Sequence, residues 1–168
     1  MPASVKLVTW NVNSIRQRLE RLIALLARHA PDVVCLQETK VTDADFPVAA
    51  LREAGYATAF AGQKSYNGVA ILAKTEPAEV ACGFRDGADD GQARLIAATV
   101  ADVRVICAYV PNGQAVGTEK YAYKLEWLER LRRMLEREAD AAKPLALAGD
   151  FNVAPTDADV HDPEAWRG

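Results

Sequence analysis

The sequence predicts an α/β fold, and three stretches carry that reading. Residues 5–38 run strand, helix, strand; residues 93–110 hold two apolar strands across a tight turn; residues 119–150 pair a long amphipathic helix with a strand ending in Asp150. With 168 residues, 50% hydrophobic and 26% charged, the chain has the size and composition of one globular domain. A domain of this size buries roughly 70% of the surface its unfolded chain exposes.

The elements follow in order. Val5-Lys-Leu-Val-Thr-Trp-Asn11 alternates, with Val5, Leu7 and Thr9 on one face, and reads as a strand ending at Asn11. Asn13 and Ser14 offer helix caps ahead of Leu19, Leu22, Ile23 and Leu26 at helical spacing, a pattern that stops near His29 and Pro31. Residues 32–38 form a short apolar run with Glu38 at its carboxyl end, so the two strands around one helix predict a parallel pair with a right-handed crossover. Residues 42–55 predict a short helix closed by Gly55. Strands at 56–60 and 68–73 flank the polar loop 62–67, and a weak strand falls at 80–84. Residues 86–92, with three acidic residues and two glycines, predict a mobile, solvated surface loop.

Strands at 93–100 and 103–110 predict a hairpin turning at Ala101 and Asp102. Leu125, Leu128, Leu131 and Leu135 mark the apolar face of a helix over 119–141. Its Arg130, Arg132, Arg133 and Arg137 among Glu126, Glu129, Glu136 and Glu138 predict a solvated face of paired charges. Lys143-Pro144 breaks the chain before the last strand, and residues 156–168 show no regular period.

Several function classes are excluded or made less apt. No apolar run reaches transmembrane length, and the N-terminus lacks a basic segment followed by an apolar stretch, so a cytoplasmic site is expected. Cys35, Cys82 and Cys107 have no metal-like spacing and predict three buried, reduced thiols. A formal charge of -3 argues against counterion-driven binding of nucleic acid over the whole surface but leaves room for a local basic groove. His29 at a helix end and His161 in the tail do not make a zinc site. No P-loop, dinucleotide fingerprint or serine nucleophile motif occurs.

Asp150 and Asn152 share a face of an extended segment; alone, such a pair is usually an exit turn. They are not alone. Asn11, Glu38, Tyr109, Asp150 and Asn152 each lie at or just past the end of a predicted strand, and in α/β sheets such ends line one crevice. Carboxylates, carboxamides and a phenol suit a hard, oxygen-preferring cation such as Mg²⁺.

The ordered blocks Trp10-Asn-Val-Asn-Ser-Ile-Arg16, Leu36-Gln-Glu-Thr-Lys40, Asn67-Gly-Val-Ala-Ile71, Tyr109-Val-Pro-Asn-Gly113 and Gly149-Asp-Phe-Asn152 resemble the exonuclease III family of DNA-repair nucleases. That family includes the apurinic/apyrimidinic endonucleases and belongs to the endonuclease/exonuclease/phosphatase superfamily. The resemblance covers nearly the whole chain, with residues 121–128 and 160–166 also similar to family segments. It implies a two-sheet α/β sandwich, of which residues 1–168 form a single incomplete domain: the first sheet and the start of the second, opened by the strand at 145–150.

The activity implied is hydrolysis of double-stranded DNA, beside abasic sites or stepwise from 3′ ends, with Mg²⁺ and with Mn²⁺ as an alternative; the oligomeric state is left open by the sequence, a monomer being the expectation for a complete protein. Glu38 matches the principal metal ligand, with Asn11, Asp150 and Asn152 in or beside the metal shell. Asp150 also matches the group that orients or deprotonates the attacking water, and Asn152 and Tyr109 match groups that hold the phosphate. Asn13, Arg16, Lys64, Asn67, Arg94 and Lys124 are the expected DNA contacts, whereas Trp10 and Trp127 read as packing groups and Trp166 has no assigned partner. Family members continue past Gly168 through further strands to a terminal Ser-Asp-His motif, so the expectation for residues 1–168 is impaired activity. Two other classes compete: a superfamily phosphodiesterase or phosphatase with another substrate, and a non-catalytic nucleic-acid-binding module.

Overall fold

Strands that are apolar on both faces need cover on both sides, and that requirement sets the layering. The computed structural model describes residues 4–88, 91–140 and 143–166. Among these, the elements are β1 (Leu7–Asn11), α1 (Ile15–His29), β2 (Val33–Gln37), α2 (Val48–Glu53), β3 (Ala57–Ala61), β4 (Val69–Ala73), β5 (Ala78–Cys82), β6 (Leu95–Val100), β7 (Val103–Tyr109), α3 (Glu119–Glu138) and β8 (Leu145–Asp150). Short 3₁₀ turns occur at Asp43–Asp45, Asp157–Asp159 and Glu164–Trp166. One four-stranded sheet runs β1-β2-β4-β3 and the other β5-β6-β7-β8.

The start of the second sheet is therefore larger than the single strand at 145–150: the hairpin β6–β7 and the edge strand β5 belong to it as well. The reason is the hairpin's two apolar faces. Ile96, Ala98, Val105 and Cys107 pack between the sheets against Val33, Cys35, Val69 and Ile71, while Ala97, Ile106 and Ala108 face Trp127, Leu131 and Met134 of α3. On the far side, Val34, Leu36, Ala70 and Leu72 meet Leu22 and Leu26 of α1. The layers are helix, sheet, sheet, helix.

The expected parallel pair is present, with Leu7 opposite Val33 and Asn11 opposite Gln37. The hairpin turns at Ala101 (φ 47) and Asp102 (φ 66), the two positive φ values that match the twist of paired strands. Ser14 bounds α1 but makes no side-chain cap. Instead its N–H and that of Ile15 donate to the carbonyls of Glu38 and Thr39 at 2.8 and 3.0 Å. Trp127 is buried, and Trp10 packs against the α1 side of the core, as expected.

Two expectations are corrected. Cys35 and Cys107 are buried between the sheets, but Cys82 is exposed, because β5 is a sheet edge with largely exposed residues. The segment at 86–92 is not simply a solvated loop, since Asp86 takes two hydrogen bonds from the Arg130 guanidinium at 2.8 and 2.9 Å. Arg130 thereby leaves the solvated face of α3 and lies 4.4 Å over the Phe84 ring, which meets Trp127 edge-on at 4.9 Å. Arg132 and Arg133 pair with Glu129 in solvent, as the charge pattern predicts. Asp89 and Asp90 of that loop lie outside the described residues.

The Arg130 guanidinium holds the Asp86 carboxyl down at about 2, against an ordinary 3.8. A carboxyl lowered in the folded state stabilises fully above its unfolded value and loses that contribution as pH falls through the folded one. The stability gap between wild type and D86N is therefore expected to be largest near pH 7 and to close between about pH 4 and pH 2. Urea midpoints across that range measure it.

Candidate active site

Two parallel pairs deliver the polar residues to one end of the molecule. Parallel strands finish on the same side of a sheet, so β1 and β2 present Asn11 and Glu38, while β7 and β8 present Tyr109 and its register partner Asp150. Contact between β1 and β8 brings the two pairs together across the sheets. An open cleft of about 390 Å³ lies there, lined by Thr9, Trp10, Asn11, Gln37 and residues 149–153.

The Asn11 side chain joins the halves. Its Nδ2 donates to Glu38 Oε1 at 2.7 Å and to Asp150 Oδ2 at 2.8 Å, and its Oδ1 accepts from the Asn13 N–H at 3.0 Å. The second Asp150 oxygen accepts from the Asn152 N–H at 3.0 Å. Asn152, at φ 48, donates from Nδ2 to the Val110 carbonyl at 2.9 Å, and its Oδ1 accepts from Asn112 Nδ2 at 3.3 Å. The amide is thus fixed in orientation, with one N–H left over. Among the described residues, the five side chains expected to share a crevice do converge.

The electrostatics assign protonation. Burial works to raise the Glu38 carboxyl, but hydrogen bonds from Asn11, Lys40 and Tyr109 outweigh it and hold the group below the ordinary carboxylate value. Burial, with the Glu38 carboxylate beside it, pushes the Tyr109 hydroxyl up to about 12 against the opposing effect of Arg94. At neutral pH the phenol is therefore a donor facing an anion.

The six residues expected at DNA separate into three settings. Asn13 is exposed and accepts from Lys40 Nζ; Arg16 is exposed and pairs with Asp45 at 2.8 Å; Lys64 is exposed on the 62–67 loop. Arg94 lies 4.6 Å over the Tyr109 ring and donates to Gln92 at 2.7 Å, while Asn67 is buried, with its amide on Gln63 at 2.8 Å. Lys124 is also buried, and its Nζ sits 2.6 Å from the Asn152 carbonyl. That places it beneath the 150–152 turn, as a tie between α3 and the site. Lys40 and Asn112, which lie inside the quoted blocks but were given no role there, belong to the same network, as do Gln63 and Gln92. Both histidines are exposed and apart from it.

Comparison with known proteins places this geometry in a wider group. The model of the Endonuclease/Exonuclease/phosphatase family matches residues 8–168. Exodeoxyribonuclease III of Haemophilus influenzae is 35% identical over 161 residues, which are 93% of this chain and 60% of that protein. The 3′ phosphatase NExo from Neisseria, solved with a product DNA hairpin, superposes with a TM-score of 0.91 at 44% identity over 98% of this chain and 64% of that one. An AP endonuclease from Archaeoglobus fulgidus gives 0.91 at 44% identity over 96% and 63%. The chain thus spans about 60% of the length of the relatives it matches.

The turn carrying Asp150 tolerates little change. A Cβ on Gly149 would lie 1.9 Å from the Ala108 carbonyl oxygen, and one on Gly113 would lie 2.7 Å from Lys124 Cδ. Lys124 also offers Nζ to the Asn112 carbonyl at 3.5 Å, so losing its ammonium strands a partly buried acceptor on Asn152. K124M is expected to lower unfolding stability by about 1–3 kcal/mol, read as a shift of the urea midpoint, with the loss recovered in K124R if a cation on those carbonyls is what matters.

Proposed function

This chain belongs to the Endonuclease/Exonuclease/phosphatase family, and on that premise we propose that its site hydrolyses DNA phosphodiesters as an exodeoxyribonuclease III or AP endonuclease does. The observation that supports the reading most is Asn11 holding carboxylates from two sheets within one hydrogen-bonded unit. In this reading the substrate is double-stranded DNA with abasic sites or 3′ ends, the protein acts as a monomer in the cytoplasm, and Mg²⁺ or Mn²⁺ is required. Among the described residues no helix is long and apolar enough to cross a membrane.

The donor set fits such a cation. Among the described residues no three His, Cys, Asp and Glu side chains gather into a metal cage. Two carboxylates joined through one carboxamide match an ion that keeps several waters and takes few protein ligands. Glu38 would hold it, with Asn11, Asp150 and Asn152 beside it. When bound, a divalent cation supplies neutralisation of phosphate charge and polarises the reacting oxygens.

The remaining work belongs to the chain's own residues. Asp150, fixed through both oxygens, keeps lone pairs free to orient a water and take its proton. The spare Asn152 N–H, and the protonated Tyr109 hydroxyl once its one hydrogen turns from Glu38, donate to phosphate oxygens as charge grows there. Contacts to the backbone of the duplex are assigned to Asn13, to Arg16 in the first turn of α1, and to Lys64, Asn67 and Arg94 in the segments at 62–67 and 92–94. Lys124 acts from below by holding the Asn152 turn. A second reading, removal of a 3′-terminal phosphate, draws support from the likeness to the Neisseria phosphatase and would use the same groups.

A duplex with one abasic site tests the proposal. Weak incision is expected in Mg²⁺, since the chain spans about 60% of the length of its relatives, with none in EDTA and a further fall on the order of 10²–10³ in both E38Q and D150N. A 3′-phosphate duplex run in parallel separates the second reading by release of inorganic phosphate. Binding of duplex without cleavage of either substrate in Mg²⁺ or Mn²⁺ would replace hydrolysis with a non-catalytic binding module.

A further inference from the structure

Glu38 already has a cation. Lys40 Nζ lies 2.8 Å from Glu38 Oε2 and donates to Asn13 Oδ1 at 2.5 Å. The Asn13 N–H donates to Asn11 Oδ1 at 3.0 Å, and Asn11 Nδ2 donates to Glu38 Oε1 at 2.7 Å. These four contacts close a ring through Asn11, Glu38, Lys40 and Asn13, and inside it both oxygens of Glu38 are engaged. With the Tyr109 hydroxyl, three donors crowd this carboxylate, and a cation that takes Glu38 as an oxygen ligand comes up against the ammonium of Lys40.

We propose that Lys40 is a resident counter-ion that competes with the divalent cation for Glu38, leaving Oε2 as the cation enters. The inference rests on the reading of Glu38 as a metal ligand and adds a residue that sets how tightly the metal binds. Three observations support it. First, the Lys40 side chain is not what holds its loop, because the backbone N–H groups of Thr39 and Lys40 already donate to the carbonyls of Gly68 and Asn67 at 3.1 and 3.0 Å. Second, Glu38 and Lys40 both adopt positive φ, 55 and 56, a conformation that costs free energy for non-glycine residues and turns the two side chains toward each other. Third, the pair is accessible, with side chains 27% and 19% exposed for Lys40 and Glu38. An ion pair reached by water is weak, so a doubly charged ion can exchange with the ammonium. Asn11 is the less exchangeable donor because it also holds Asp150.

The sign of one measurement separates this role from a structural one. If Lys40 merely shapes the loop, its removal loosens the site and weakens metal binding; if it competes, its removal tightens binding. Mn²⁺ affinity is read by the loss of the free-ion paramagnetic resonance signal, without DNA, in wild type, K40M, K40R, N13A and E38Q. K40M is expected to bind Mn²⁺ about three- to tenfold more tightly and K40R to stay near wild type. N13A, which removes the ammonium's second acceptor, should bind about twofold more tightly.

Unchanged or weaker binding in K40M overturns the proposal, and if binding is still lost in E38Q the metal-ligand reading of Glu38 stands without it. Absence of Mn²⁺ binding in every variant overturns both. Circular dichroism checks each fold; should K40M not fold, N13A decides, and no tightening there overturns the competition.

Discussion

One carboxamide bridges carboxylates from the two sheets at the end where their parallel strands finish. Asn11 Nδ2 lies under 3 Å from oxygens of both Glu38 and Asp150, the second 139 positions away in sequence. Those oxygens are then no more than about 5.5 Å apart, and like charges at that spacing repel by about 3 kcal/mol at an effective dielectric of about 20. The amide hydrogens between them, Lys40 on the outer side and Lys124 below offset the repulsion. The fold's contribution is to bring these groups within reach: parallel pairs in each sheet finish at one end, and the core between the sheets fixes how far apart those ends sit.

Much of this was legible in the sequence because it depends on local pattern. Strand ends at Asn11, Glu38, Tyr109 and Asp150 follow from where apolar runs stop, and within a parallel pair two such stops fall on one side. Sheet membership was not legible from pattern. The run at 93–110 is apolar on both faces, and a strand buried twice reads the same in either sheet; only packing of Ile96 and Val105 against β2 and β4 assigns it.

Lys124 shows the opposite failure. It stands three and seven positions before Trp127 and Leu131, so helical phase puts it on the buried face of α3, as is found. The expectation of a DNA contact at Lys124 did not take that phase into account. Arg130 was misread for a different reason, since nothing in the helix pattern signals that Phe84 and Asp86 would form a platform for it. Lys40 was given no role because its direction comes from a turn with positive φ at Glu38 and Lys40 that tertiary hydrogen bonds impose and no local residue preference announces.

Those left-handed residues explain how the site keeps its shape. Asn13, Ser14, Glu38, Lys40, Asn67 and Asn152 all have positive φ, at a cost of about 1–3 kcal/mol each, and the strained stretches before and after α1 lock one another. The first N–H groups around the start of α1, which a side chain would ordinarily cap, are satisfied by the carbonyls of Glu38 and Thr39; Thr39 and Lys40 in turn donate to Gly68 and Asn67. The start of α1 therefore cannot fray without releasing the turn that aims Glu38. What resists fraying is apolar: Leu22 and Leu26 of α1 are buried against Val34 and Leu36 of β2. The direction of the Glu38 carboxylate is thus set by the core behind it. Its charge is set separately, by the amide and ammonium in front, so Glu38 can exchange one cationic partner for another without the backbone moving.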